Sequence, residues 1–318
     1  MSCAFNINEK NSELARNNYK KNQTHPCYNA SAHNYARIHL PVAPACNISC
    51  NYCNRKFDCL HETRPGVSSE VLSPEQAFDK YVSVKEQINN LKVVGIAGPG
   101  DALANFDNTK KTLKLIKDYN PEATFCLSTN GLLLPEYIGE IVELGVSHIT
   151  VTINTINPFI GVKIYRYINY QGKRYTGLEG AEILLENQLK GLEILNKAGI
   201  IAKVNIVMIK GVNEKNIPEV VKEVKNYAVF MTNIMPLIPA EGSQFENMPL
   251  VSNKELKNLR DQCSLDMKQM YHCQQCRADA IGLLSDDKSA EFRSCKSSVA
   301  SKEESKEDYI DKYLNFRS

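Results

Sequence analysis

The chain has 318 residues, 43% of them hydrophobic, and a formal net charge of +2 at pH 7. This length suffices for one large α/β domain or two small ones. The near-neutral charge gives no general case for nucleic-acid binding, and no apolar run reaches the ~18 residues needed to span a membrane. Residues 1–21 are polar and lack the apolar core of a signal peptide, so we expect a cytoplasmic protein.

Six apolar, strand-like runs alternate with helical patterns along the chain. The strands are predicted at 38–43, 92–97, 124–128, 148–153, 202–208 and 229–235, and helices at 74–90, 110–119, 135–144, 178–198, 218–227 and 253–271. Ser73, Pro74 and Gln76 form the capping box and first turn of the first helix. Buried strands alternating with helices predict a parallel sheet. Six units are fewer than the eight of a closed barrel, so we predict an α/β fold, a partial (β/α)6 barrel open on one side.

The chain divides at the ends of this repeating pattern. We expect an N-terminal extension over residues 1–36, the partial barrel over 37–239, and a C-terminal extension over 240–318 that ends in a charged tail. An insert at 158–176, rich in Tyr, Gly, Lys and Arg, separates the fourth strand from its helix. The insert is either a lid or substrate loop, or an ordinary solvated connection.

Three cysteines in one short loop are the strongest chemical signal. Cys46, Cys50 and Cys53 follow the first predicted strand with the spacing Cys-x3-Cys-x2-Cys. Thiolates favour iron–sulfur clusters, zinc or Cu(I), and a cubane cluster normally takes four cysteines. Three ligands would leave one iron open, as in catalytic metal sites. The spacing resembles that of the radical S-adenosylmethionine (SAM) enzymes; a structural zinc site with Cys59 as fourth ligand is the alternative.

A glycine-rich loop follows the second strand, where the carboxyl ends of parallel strands form active sites. It contains Gly98, Gly100 and Asp101. Glycines let a backbone approach a ligand closely, and a simple tight turn is the alternative.

Cys126 ends the third strand, Cys59 follows the three-cysteine loop, and His39 lies on the first strand. Each has an ordinary structural explanation by itself. Together, beside the first cluster loop, they make a plausible second iron–sulfur site with mixed His and Cys ligands.

Three more cysteines lie at opposite ends of the chain. The pair Cys273 and Cys276 is a redox pair, half a zinc site or half a cluster site. If the fold brings the termini together, Cys27 completes a third three-thiolate site. The chain has eleven cysteines, and in a cytoplasmic protein we expect reduced thiols. Cys3, Cys263 and Cys295 are interpreted as structural cysteines.

Seven segments together resemble the NifB family of radical SAM maturases, in its short form without a NifX-like domain. The segments are 25–33, 42–59, 64–66, 95–101, 128–131, 235–239 and 273–282. The resemblance covers about residues 24 to 297. It implies the radical SAM partial barrel and an enzyme that fuses two [4Fe–4S] clusters around a SAM-derived carbide, giving the 8Fe–9S–C precursor of the nitrogenase cofactor. The implied chemistry is methyl transfer from one SAM and hydrogen abstraction by a 5′-deoxyadenosyl radical from a second.

The resemblance also implies the ligand sets. The radical SAM cluster would be held by Cys46, Cys50 and Cys53; one substrate cluster by His39, Cys59 and Cys126; and the other by Cys27, Cys273 and Cys276. His33 is the alternative to His39. Glu62 is a candidate proton acceptor or transient ligand, or else a surface carboxylate. Candidate SAM contacts are Tyr52, Gly98, Gly100, Asp101, Asn130, Asn154 and Asn205, and loop packing is the alternative for Tyr52.

The implied partners are SAM, iron–sulfur cluster donor and product carrier proteins, and a reductant such as ferredoxin or flavodoxin. No nucleic acid and no membrane are expected. Three other functions stay open: a radical SAM enzyme that modifies a peptide, an iron–sulfur carrier or electron-transfer module, and a zinc-stabilised scaffold. The few cysteines after residue 242 disfavour the first, because such enzymes usually have a longer, cysteine-dense C-terminal extension.

Overall fold

A computed structural model describes residues 14–54, 68 and 70–292. Within them a seven-stranded sheet has the order β10-β1-β3-β4-β5-β8-β9, and a second sheet has the order β2-β6-β7. The strands are β1 (Ala36–His39), β2 (Ile48–Cys50), β3 (Leu91–Ile96), β4 (Thr124–Thr129), β5 (Val146–Thr152), β6 (Tyr165–Tyr170), β7 (Lys173–Tyr175), β8 (Ile201–Met208), β9 (Met231–Pro236) and β10 (Ile281–Gly282). Strands β1, β3, β4, β5, β8 and β9 are parallel neighbours in chain order. The predicted (β/α)6 partial barrel is therefore confirmed.

Helices follow the strands as the apolar pattern predicts. They are α1 (Pro74–Gln87), α2 (Phe106–Tyr119), α3 (Leu134–Glu143), α4 (Pro158–Ile164), α5 (Gly177–Lys197), α6 (Ile217–Lys225) and α7 (Asn253–Ser264). The capping box of Ser73 and Gln76 is confirmed at the start of α1. A second box of Ser252 and Glu255 begins α7. None of the described helices has the length and apolar character that crossing a membrane requires.

The insert at 158–176 is an ordered part of the fold. It forms α4 and the β6–β7 hairpin, and β6 pairs antiparallel with β2. Cys50 pairs with Tyr165 in this ladder. A three-residue strand such as β2 has little stability by itself, so the insert holds the three-cysteine segment in place. This role differs from both the lid and the solvated connection that the sequence suggested.

The C-terminal extension returns to the first strand of the barrel. Its strand β10 pairs antiparallel with β1, and the Arg37 guanidinium donates to the carbonyl oxygens of Gly282 (2.6 Å) and Leu283 (2.8 Å). The charged tail beyond residue 292, with Cys295, lies outside the described residues. The first strand thus carries the extension that holds Cys273 and Cys276.

Candidate cluster-binding site

The three-cysteine loop is anchored to both sheets of the fold. Cys50 is buried in β2, whereas Cys46 and Cys53 are partly buried against the same apolar cluster. The Cys53 amide donates to the Cys50 carbonyl (3.1 Å), closing a turn, and the Asn51 amide donates to the Ile164 carbonyl (2.8 Å). These two hydrogen bonds hold the turn that carries Cys50 and Cys53.

The glycine-rich loop packs directly on the segment that precedes Cys46. The Gly100 amide donates to the Ala43 carbonyl (2.6 Å), and the Asp101 amide donates to the Ala45 carbonyl (2.8 Å). A Cβ atom on Gly100 would lie 2.1 Å from the Ala45 carbonyl oxygen. The backbone that Gly100 lets come close is therefore that of Ala43 and Ala45, within the same chain. Gly98 has a φ of 138°, which side chains other than glycine rarely adopt.

Asp101 joins this loop to the end of β4. Its buried carboxylate accepts hydrogen bonds from the amides of Leu103 (2.9 Å), Ala104 (3.2 Å) and Asn130 (2.6 Å), and from the Thr129 hydroxyl (3.0 Å). Burial raises the pKa of Asp101, while these four donors lower it. Both oxygens are occupied by the protein, so the structure gives Asp101 a role in positioning the loop.

Asn130 is the predicted SAM contact that lies beside the three-cysteine loop. Its amide nitrogen donates to Asn47 Oδ1 (2.6 Å) and lies 3.9 Å from Cys46 Sγ, and its carbonyl accepts from Gln188 (2.8 Å). The end of β4 is thereby tied to the turn that carries the first thiol.

Tyr52 and Asn154 bond to each other inside the fold. The Asn154 side-chain amide donates to the hydroxyls of Tyr52 (2.9 Å) and Tyr165 (3.2 Å), and its oxygen accepts from the Val207 amide (2.9 Å). Tyr52 and Asn154 are both 0% exposed. This burial favours the loop-packing alternative for Tyr52, and Asn154 joins the turn after β2 to strands β6 and β8.

We expect Tyr52→Phe to lower the free energy of unfolding by about 1 kcal/mol, because one buried hydrogen bond to Asn154 is lost. Urea denaturation of the wild type and the variant measures this difference. Tyr19→Phe, at a side chain 61% exposed, is the matched control and should change nothing. Equal effects of the two substitutions would contradict the role assigned to the Tyr52 hydroxyl.

One cavity lined by the parallel strands and the C-terminal extension gathers the described members of the other two predicted ligand sets. It is lined by His39, Cys126, Cys27, Cys273 and Cys276, together with His25, Arg37, Lys203, Asn205, Asn233 and other residues. Asn205 accepts a hydrogen bond from Asn233 (3.1 Å) in this wall. The two ligand sets that the sequence placed at separate sites thus face the same space. Cys59 and Glu62 lie outside the described residues.

His39 is held in the tautomer that a metal ligand requires. Its Nδ1 lies 2.9 Å from the Arg277 carbonyl oxygen, so Nδ1 carries the proton and Nε2 keeps its lone pair. Burial lowers the pKa of His39 to about 4, which keeps the ring neutral. Orientation by a backbone carbonyl is the usual outer-shell arrangement of metal-binding histidines. His33, the alternative, is exposed at the surface.

The thiols of the opposite chain ends meet in the cavity wall. Asn233 donates to Cys273 Sγ (3.2 Å), and Arg37 donates to Cys276 Sγ (3.4 Å). Burial raises the pKa of Cys27 to about 11, and Lys203 acts against this rise. Sequence reasoning missed Arg37 and Lys203, although a charged residue inside an apolar strand is a recognisable signal.

The donor set fits iron–sulfur clusters. Within the described ranges, no three His, Cys, Asp or Glu side chains converge on a point that would hold a single metal ion. A cubane cluster takes each ligand at a different iron, so its thiolates surround a volume and need not meet at one atom. Cys46, Cys50 and Cys53 belong to one loop and supply the soft ligands that such a cluster prefers.

Residues 40–224 match the Radical SAM superfamily. The chain is 52% identical over 279 residues to the "FeMo cofactor biosynthesis protein NifB" of Bradyrhizobium diazoefficiens, covering 86% of this chain and 56% of that protein. It is 48% identical over 296 residues to the protein of that name from Azotobacter vinelandii, covering 92% of this chain and 59% of that protein. The chain spans about half the length of the curated relatives it matches.

Two solved structures share the fold. Streptococcus suis SuiB bound to precursor peptide SuiA superposes with a TM-score of 0.51 at 12% identity, covering 72% of this chain and 45% of SuiB. Native anSMEcpe with bound AdoMet and a peptide gives a TM-score of 0.52 at 16% identity, covering 74% and 63%. At such identities the likeness concerns the fold alone.

Proposed function

The chain belongs to the radical SAM superfamily and resembles the NifB proteins, and from this premise we propose that it is an enzyme of nitrogenase cofactor biosynthesis. The proposed reaction fuses two [4Fe–4S] substrate clusters with insertion of a carbide derived from SAM, giving an 8Fe–9S–C product. Family membership implies a resident [4Fe–4S] cluster and SAM, and Cys46, Cys50 and Cys53 would hold the cluster. When bound, that cluster supplies the electron that cleaves SAM to a 5′-deoxyadenosyl radical.

The observation that carries the proposal is the shared cavity. His39 and Cys126 face the same space as Cys27, Cys273 and Cys276. Two substrate clusters held by these two sets would lie side by side, as a fusion reaction requires. An iron–sulfur carrier has no need for two facing sets of ligands beside a SAM site.

The protein's own groups would orient the reactants and exclude water. His39, fixed by the Arg277 carbonyl, offers a neutral ligand that a leaving product displaces more readily than a thiolate. Asp101 and Asn130 hold the strand end against the three-cysteine turn. Glu62 is the proposed proton acceptor. Cluster donors, a product carrier and a ferredoxin or flavodoxin reductant are the proposed partners.

The function is tested by counting two products of SAM in one assay. The protein is reconstituted anaerobically with iron and sulfide, then given dithionite and SAM. We expect both S-adenosylhomocysteine, from methyl transfer, and 5′-deoxyadenosine, from radical cleavage. Cys53→Ala should abolish the deoxyadenosine, since an open-iron cluster needs its three thiolates.

The other outcomes contradict the proposal in different ways. Deoxyadenosine without S-adenosylhomocysteine would keep the radical chemistry but remove cluster methylation, as for a peptide-modifying enzyme. Neither product, with the clusters intact by iron and sulfide analysis, would indicate a carrier. Cys126→Ala separates the steps further, because it should reduce cluster fusion while leaving Cys46, Cys50 and Cys53 in place.

A further inference from the structure

Lys203 is a buried cation in the wall of the cavity. It lies in β8 between Thr150 of β5 and Met231 of β9, and it is 6% exposed. Its ammonium nitrogen lies 4.0 Å from Met270 Sδ and 4.7 Å from the centre of the Tyr28 ring. No carboxylate of the described residues forms an ion pair with it. A buried ammonium without an anion is strongly destabilising, so this position is unfavourable unless an anion enters the cavity.

Two further groups of the wall also have hydrogen-bond donors to spare. The His25 Nδ1 accepts from the Cys27 amide (3.2 Å), so the neutral ring carries its proton at Nε2. That nitrogen is buried without a hydrogen-bond partner among the described residues, and so is Arg37 Nε. His25 and Arg37 are each 1% exposed and line the cavity. Orphaned buried donors are rare in folded proteins and call for an acceptor.

We propose that Lys203, Arg37 and His25 form an anion-binding wall that recognises the sulfide-rich substrate cluster at Cys27, Cys273 and Cys276. This inference rests on the proposed function. A [4Fe–4S] cluster bound by three thiolates is anionic. Its sulfides carry no hydrogen, so they can accept hydrogen bonds but cannot donate them. Hydrogen bonds to the sulfurs and nearby charge are known to tune such clusters.

The wall also distinguishes the two ends of the cavity. Lys203 and Arg37 are among the charges that act most strongly on the Cys27 thiol, and Arg37 donates to Cys276. At the other end, His39 is bonded through Nδ1 to the Arg277 carbonyl, and burial together with the Arg37 charge lowers its pKa, so this end presents a neutral imidazole. The thiolate end would therefore retain its cluster more firmly than the imidazole end, so that the two substrates differ in how tightly they are held.

The test uses a background in which Cys46, Cys50 and Cys53 are all changed to Ala, so that bound iron reports the substrate clusters alone. In this background we expect Lys203→Met to lose about four irons per chain on reconstitution, the content of one cubane. Lys203→Arg should restore them, because it keeps the charge. Lys268→Met, which removes a lysine charge from an exposed position on the neighbouring segment, should keep its iron.

The Tm of the cluster-free and of the reconstituted protein distinguishes an anion-binding Lys203 from a lysine that only supports the fold. In the cluster-free protein Lys203→Met should raise Tm, because it removes an unpaired buried charge while keeping the volume of the chain. After reconstitution the order should reverse. Full iron content in Lys203→Met, with an unchanged reduction potential of the cluster, would overturn the inference. No iron uptake by the background itself would instead overturn the proposed function.

Discussion

We expect Gly100→Ala to destabilise the chain by about 3 kcal/mol or more and to disable the radical chemistry. The added Cβ would lie 2.1 Å from the Ala45 carbonyl oxygen, 2.6 Å from its carbonyl carbon and 2.9 Å from the Ala43 oxygen. These are backbone atoms, so a side-chain rotation cannot relieve the overlap. We therefore expect a loss of stability at or above the upper end of the range of about 1–3 kcal/mol that is typical of overpacking. The segment must shift, and Cys46 follows directly on it.

A displacement of about 1 Å at a catalytic group can reduce activity roughly 100-fold. The rate of deoxyadenosine formation by reconstituted Gly100→Ala is therefore expected to fall by about that factor, even when the rate is expressed per molecule of folded protein. Gly139→Ala is the matched control, since a Cβ there has no atom within 4 Å and alanine favours the surrounding helix α3. If Gly100→Ala were as active as Gly139→Ala, the packing explanation for the glycine loop would be wrong.

The order of elements was predictable because each strand and helix carries its own apolar pattern. The six parallel strands and the capping box of Ser73 are local signals, and the structure confirms them. The helix predicted at 253–271 instead ends at Ser264. Beyond it, the Lys268 carbonyl accepts from the Thr232 amide (3.0 Å) and the Met270 amide donates to the Thr232 carbonyl (2.9 Å). The open edge of β9 competes with the helix for these backbone groups, and a helical pattern cannot reveal that competition.

The candidate site was predictable where its ligands are close in sequence. The spacing of Cys46, Cys50 and Cys53 by itself predicts a cluster-binding loop. The union of Cys27 with Cys273 depends on how the termini return to the barrel, which the sequence left conditional. Lys203 was overlooked, because its cavity is built from elements that are distant in the sequence.

Glycine and aspartate in the loop after β3 illustrate a more general difficulty. A sequence reveals that a backbone must come close to something, but the partner is a property of the folded chain. For Gly100 that partner is the Ala45 carbonyl, and for Asp101 it is a set of amides. Some residues that a motif predicts to contact a ligand therefore act indirectly, because they position the loop that carries the contacting groups.

We expect Asp101→Ala to lower the free energy of unfolding by about 3 kcal/mol or more. The substitution leaves the amides of Leu103, Ala104 and Asn130 without their acceptor, and each buried orphan donor costs about 1–3 kcal/mol. The removal of a buried carboxylate offsets part of this loss, because its desolvation is relieved. Chemical denaturation measures the difference, and Asp118→Ala on the exposed face of α2 should stay within about 0.5 kcal/mol of the wild type.

Asp101→Asn separates a positioning role from direct contact with SAM. The amide keeps one acceptor oxygen but presents an NH2 group to a neighbouring donor, so we expect an unfolding loss between those of the wild type and Asp101→Ala. SAM affinity, measured by equilibrium dialysis under anaerobic conditions, should fall only together with the free energy of unfolding, because both losses would come from displacement of Asn130 and Cys46. A large loss of SAM affinity with an unchanged free energy of unfolding would show that the carboxylate contacts SAM. The free energy of unfolding depends on the hydrogen bonds to the backbone amides, whereas the affinity depends on contacts with SAM.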